Sequence, residues 1–562
     1  MDLRTLADDF WEDVLRDHPA WATILGDHRY DDRLDDLSPA AVEASLGRDR
    51  RTLEAARALD PGTLTPREQV TRQMLVDVLE GQIAVTETRV HEWAVDPLNG
   101  PQTVFPDLAD LQVVTTPEDG RNLIARWRAM GPYLDQAIAD LRRALADGRV
   151  AVDKPIERVL DELRGLEAHP VAGWKLAEPA KAAHDDWPAG DLATFRADLL
   201  AAMEAVVIPA FRRYRVVLET EILPAARPST RPGLQHIPGG AEAYRAHIRH
   251  HTSLDLDPAA VHETGLREIA RIDAAFVELG GRLLGTTDLA STLVALRSDP
   301  ALRFSTADEV FDTAKRSLER AEAATPKWFG RLPKAPCEVI RIPEHSEVHQ
   351  TIAYYSWPAL DGSRPGRYYI NLYAPETRPR YEAETLAFHE SVPGHHLQIA
   401  IAQELEGLPA FQRLLGATAF SEGWGLYTER LSEEMGLYSG ELDRFGILSF
   451  DAWRAGRLVV DTGMHALGWS RQAAIDYLHD HTALGDNNIE NEVDRYISMP
   501  AQALAYKVGQ LEILRLRAEA EARLGSRFDI RDFHDVVLGN GAISLPTLAS
   551  VVERWSGGPP EA

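Results

Sequence analysis

The sequence predicts a mainly α fold of the α+β class, a large helical body with a small β-sheet just ahead of a metal-binding helix. Three observations carry that expectation. Apolar residues recur at three- and four-residue spacing through most of the chain. Short runs of β-branched and aromatic residues are confined to residues 337–373. A helical segment opening near Pro379 runs to His389-Glu390.

Up to about residue 222 the texture is helical, rich in Ala, Leu, Arg and Glu, with stripes such as Leu199, Met203 and Val206. Between Leu223 and Gly240 a stretch containing Pro224, Pro228, Pro232, Pro238, Gly239 and Gly240 breaks that period. A soft boundary is therefore expected there, with a helical N-terminal region over 1–232 and a catalytic region over 233–562, the two packed as one body. Helices resume over 241–284 and 306–324. Val339-Ile340-Arg341-Ile342 and Arg367 to Tyr373 are the strand candidates, and further helices are expected over 417–435, 451–467 and 500–524.

Composition narrows the function. The 562 residues include 60 Lys and Arg against 87 Asp and Glu, a net charge of -27, which disfavours nucleic acid and anionic membranes as partners. Cys337 is the one cysteine, so a metal here must rest on His, Asp and Glu rather than on thiolates. No segment offers the roughly 20 uncharged apolar residues of a membrane span. The acidic N-terminus lacks an apolar signal core, and a cytoplasmic protein is expected. P-loop and nucleophile-elbow patterns are absent.

The chemistry concentrates in His389-Glu390-Ser391-Val392-Pro393-Gly394-His395-His396. In the zinc-peptidase pattern HExxH two imidazoles sit one turn apart, and the glutamate reaches the reacting water. Here Pro393 occupies the position of the second histidine. On an undistorted helix His395 would lie about 240° around, and His396 about 10 Å along the axis. Pro393 removes a donor and clashes with the preceding turn, while Gly394 is conformationally free, so the helix must bulge or end and let a later histidine return to His389. His395 is favoured, with His396 as the alternative. Glu422 is the leading third ligand, and two histidines with one glutamate leave a position open for catalysis.

His247, His250 and His251 form a second histidine cluster, read as a solvated helix face because Arg245 and Arg249 flank it. Arg457, Asp461 and His465 recur at four-residue spacing, so Asp461 could pair with Arg457 and orient His465. Tyr506 is a candidate donor to a developing oxyanion, and Lys507 a candidate holder of a substrate carboxylate. The strand carrying Tyr369 and Asn371 is a candidate edge for pairing with an extended substrate, although an inner strand would look the same.

The stretch 389–398, Ser421-Glu422-Gly423-Trp424, Arg457 to His465 and Tyr496 to Gly509 together resemble the bacterial domain-of-unknown-function family 885, which is similar to gluzincin-type zinc peptidases of the helical HExGH carboxypeptidase kind. The resemblance implies a zincin-like catalytic core and one zinc per chain on His389, His395 and Glu422, with Gly394-His395 closing the motif. It implies Glu390 as general base and raises His465 and the edge strand as site elements. The function expected is hydrolysis of peptide or amide bonds in small peptides, by a carboxypeptidase, dipeptidase or isopeptidase-like enzyme. Two competing readings are a metal-dependent hydrolase or lyase of a non-peptide metabolite, and a non-catalytic, metal-stabilised binding protein. Retention of Glu390 argues against the last.

Overall fold

Helix starts are written plainly into the chain. Thr65 and Thr116 each precede a proline at the first helical position and exchange capping hydrogen bonds with Glu68 and Asp119, opening the helices Pro66–Glu87 and Pro117–Ala146. The second buries one stripe, including Leu123, Trp127, Met130, Leu134 and Leu141, and leaves the other face wet. Repetition of this pattern gives a mainly helical molecule in the computed structural model, which describes residues 2–557 apart from 344–346, 348–350, 361 and 363. No helix among the described residues is long and apolar enough to cross a membrane.

Two large cores hold the body together. One joins Leu3, Phe10, Met74 and Leu79 to Phe388, Phe411, Trp424 and Leu548, so the first helices and the last share a single apolar interior. The other gathers Trp127, Phe211 and Tyr244 with Leu458 and Leu504. The Pro/Gly-rich stretch is no free linker. Arg227 is buried there, and the Leu234 N–H donates to His465 Nδ1.

The sheet has three strands, β1 (Cys337–Arg341), β2 (Ala353–Ser356) and β3 (Gly366–Ile370), in the order β1-β3-β2. β1 runs parallel to β3 and β2 antiparallel to it, with Tyr354 opposite Tyr369. The two expected strands are present, and β2 is an addition. Six helices then build the site: α1 (Arg380–Glu390), α2 (His395–Gln403), α3 (Thr418–Glu434), α4 (Arg444–Leu467), α5 (Asp486–Ser498) and α6 (Ala505–Leu524). α4 begins seven residues before the expected 451, because Arg444 to Phe450 continue its buried face through Phe445 and Ile447. The helices expected over 241–284 are Gly240–Thr252 and Pro258–Leu283, divided where Asp257 caps the second.

Candidate metal centre and its cavity

The helix that carries His389 stops at Glu390, and a new one starts at His395. Between them Ser391 to Gly394 turn the chain, the Val392–Pro393 peptide is cis, and the Pro393 carbonyl accepts from the Trp424 indole N–H at 3.0 Å. Gly394 is required by proximity: a Cβ there would lie 1.9 Å from the His389 carbonyl oxygen. The result is an end to the helix rather than a bulge, and it places the His389 and His395 rings edge to face with centroids 4.7 Å apart.

α3 supplies the third donor. Glu422 Oε2 lies 3.5 Å from His395 Nε2 and 4.0 Å from His389 Nε2, and ligand atoms of the three residues all fall within 4.8 Å of one another. Ligands of a tetrahedral zinc stand roughly 3.4 Å apart, so small side-chain adjustments suffice. One turn along α3, Gly425 makes room for the His389 ring, since a Cβ there would meet its Cε1 at 2.7 Å. Two turns past Glu422, buried Glu429 accepts from His389 Nδ1 at 2.7 Å, which fixes the tautomer and turns Nε2 toward the cluster. The buried Nδ1 of His395 has no partner among the described residues. This donor set, with its carboxylate-oriented histidine, fits a catalytic zinc. His396 points elsewhere: its Nε2 donates to the Ala335 carbonyl at 3.1 Å and its Nδ1 accepts from the Tyr355 hydroxyl at 2.8 Å.

Burial dominates the electrostatics. It raises the Glu390 carboxyl above its ordinary range, an effect that the Glu422 charge reinforces and His395 opposes. It also holds the His389 imidazole neutral, far below its usual range. At Glu422 burial is outweighed by the hydrogen bond and charge of His395, and the carboxylate stays ionised. At His395 burial, which alone would lower the pKa, is outweighed by the hydrogen bond and charge of Glu422, and the imidazole sits above its ordinary range, so a metal taking this ligand would displace a proton from it.

His389, Glu390, His395 and Glu422 line a cavity of ≈ 530 Å³. Its other walls are β2 and a cationic surface of Arg454 and Arg457 from α4, Arg495 from α5 and Tyr506 from α6. Tyr506 and Arg457 therefore reach the site as expected, the guanidinium lying 4.4 Å from the Tyr506 ring centre.

Four expected site residues are placed otherwise. His465 is fully buried outside the cavity, with both ring nitrogens taken by the Leu234 N–H and the Tyr496 carbonyl, and burial pushes its pKa down to about 3. Asp461 does not orient it, but binds the Tyr244 hydroxyl and the Ala501 N–H. Lys507 is 1% exposed and locked onto Asp451, Glu268 and Gln510, so its charge is spent on the protein itself. β3 is the inner strand, with both edges taken. Tyr369 stacks on Tyr354, and the Asn371 amide donates to the Glu347 and Thr351 carbonyls. The edge facing the cavity is β2. The second histidine cluster is a solvated face in part: His250, Arg245 and Arg249 are exposed and His251 is half-buried, whereas His247 turns inward and is buried. Among the described residues no other group of three His, Cys, Asp or Glu side chains converges.

Glu429, Arg454, Arg495 and β2 were missed. Glu429 follows Glu422 by seven residues, a same-face spacing that marks it in retrospect. Arg454 precedes the expected Arg457 by three residues on the same helix, a like signal, whereas Arg495 carries none, since α4 and α5 meet only in three dimensions.

Comparison with known proteins agrees with this architecture. A family model described as "Bacterial protein of unknown function (DUF885)" matches residues 19–552. No curated protein matches the chain. The crystal structure of a candidate lipoprotein from Colwellia psychrerythraea superposes with a TM-score of 0.92 at 26% identity, covering 99% of this chain and 98% of that one. A candidate lipoprotein of unknown function from Shewanella oneidensis gives 0.77 at 18% identity, covering 98% and 99%, a likeness of fold alone.

Proposed function

We propose that this chain, which belongs to the bacterial family of unknown function DUF885, is a zinc-dependent hydrolase of peptide or amide bonds with a zincin-like site. The observation that carries the reading is the convergence of His389, His395 and Glu422 beside Glu390 in one cavity. His389, held by Glu429, and His395 and Glu422 would hold the ion. When bound, zinc supplies a Lewis acid that polarises the scissile carbonyl and acidifies water toward neutral pH.

The chain's own groups do the rest. Glu390 takes a proton from the attacking water and returns it to the leaving amine, work suited to a carboxyl whose pKa burial has raised. Tyr506, which lines the same cavity, would offer its hydroxyl to the charge that develops on the carbonyl oxygen. β2, the edge strand among the described residues, offers main-chain pairing to an extended substrate. A cavity of ≈ 530 Å³ suits a small peptide rather than a folded protein. Cytoplasmic location remains part of this reading. The lipoprotein description of the two structural neighbours favours the cell envelope instead, and cell fractionation with an antibody to this chain separates the two.

The test pairs elemental analysis with a dipeptide and tripeptide screen of wild type and Glu390→Gln. About one zinc per chain in both proteins and hydrolysis only by wild type are expected. Protein never exposed to chelator yet free of metal would refute the reading. Zinc without any difference between the two proteins would point to a binding protein.

A further inference from the structure

Resting on the hydrolase reading, we propose that the substrate carries a carboxylate close to the bond cleaved, and that Arg454, supported by Arg457 and Arg495, binds it. Arg454 is 5% exposed, lines the cavity, and makes no hydrogen bond or ion pair with a protein group among the described residues. Its guanidinium lies over Trp453 at 4.1 Å and Phe450 at 4.5 Å, contacts that fix its plane without neutralising its charge. Nε and Nη1 are buried without partners.

The neighbours do not compensate. Arg457 is 1% exposed and gives Nη2 to Glu492 at 2.7 Å and Nε to the Tyr496 hydroxyl at 2.9 Å, yet its Nη1 has no partner. Arg495 reaches the same Glu492 at 3.5 Å. Two of the three guanidiniums thus share one carboxylate and the third has none, while Glu492 also accepts from Trp453 and Tyr496. Glu429, the foremost favourable charge acting on Arg454, is already committed to His389. A protein does not bury an unpaired guanidinium for stability, because desolvation penalises it. A planar cation left open in a cavity beside a hydrolytic centre has the chemistry to take a carboxylate in two parallel hydrogen bonds.

Two sources present that group, a free C-terminus and an acidic side chain, and matched substrates separate them. Ala-Ala-Ala is compared with its C-terminal amide, and Ala-Glu-Ala with Ala-Gln-Ala, in wild type and Arg454→Met. In wild type one pair should differ in kcat/KM by roughly 100-fold, and the pair that differs names the source. In Arg454→Met that ratio should fall to near one, through loss on the carboxylate substrate alone. Pairs equal within about threefold in wild type would overturn the proposal and leave the hydrolase reading standing. This arm needs no variant to fold. Calorimetric titration of succinate against its diamide gives a readout independent of turnover. Succinate bound by wild type and not by Arg454→Met, with no peptide hydrolysed, would retain the anion site and sink the hydrolase reading. Failure of both proteins to bind succinate, together with equal pairs, would sink the anion site.

Discussion

Two clusters of buried charge are built on α4 within one turn of each other, and they are opposites. At Asp451 one carboxylate is shared by Lys507, Arg271 and Arg430, and Glu268 completes the set. Every charge there is answered by the protein. Three residues on, Arg454 has no hydrogen-bond or ion-pair partner among the described residues, and Arg457 and Arg495 share a single glutamate. The first cluster ties α4 to α6 and to the helix Pro258–Leu283, so its charges serve the fold. The second is incomplete by itself. Burial alone does not distinguish a structural cation from a recognition cation; the presence or absence of its counter-charge does.

That contrast is easiest to break at Asp451. Asp451→Ala takes the buried counter-charge from Lys507 and Arg430 and leaves Glu268 alone to answer Lys507 and Arg271, and a loss of about 3 kcal/mol is expected, read as a large fall in Tm by thermal scanning. Arg454→Met removes a buried charge with no partner, and its Tm should stay level or rise. Equal destabilisation by the two would erase the distinction. The Asp451 contribution is also pH-dependent. Burial opposes ionisation, but Lys507, Arg430 and Arg271 together hold the carboxyl well below the usual range. The stabilisation is therefore complete above the unfolded value of about 3.9 and is lost as pH falls through the folded one. Asp451→Asn should lack that limb in a Tm-against-pH series.

A smaller effect is expected at Glu429, the carboxylate near the cationic wall that is committed to His389. Glu429→Gln should weaken zinc about 10–100-fold, measured by competition with a chelator, and leave the carboxylate preference of the substrate pairs intact. Loss of that preference together with the metal would mean that the two walls are one unit. The smallest catalytic effect belongs to His465→Gln. With both ring nitrogens on backbone groups, the change should cost about 1–3 kcal/mol of stability and alter kcat/KM by less than about twofold.

The sequence made the helical body legible because caps, prolines and apolar stripes are local signals. The convergence of His389, His395 and Glu422 was legible too, since the three residue types stand in short distinctive stretches and Pro393-Gly394 announced the break. The errors share a cause. Lys507, His465 and Asn371 are polar residues near the site in sequence whose hydrogen bonds turn out to be spent on Asp451, on backbone groups and on loop carbonyls. Polar satisfaction is a property of the packed structure. It cannot be read from spacing along one helix. Arg454 was overlooked for the converse reason: its significance is a missing partner, and only the assembled neighbourhood shows that the partner is missing.

The interrupted helix between His389 and His395 has a consequence for recognising such centres elsewhere. A pattern keyed to helical pitch asks for histidines four apart, and would pass over a pair six apart that nevertheless meet ring against ring. Here the turn through Ser391 to Gly394, anchored by Trp424, does the work that pitch does in an unbroken helix. A chain that ends one helix on His-Glu and begins the next on a histidine is thus a candidate for the same constellation, whatever the number of residues in between.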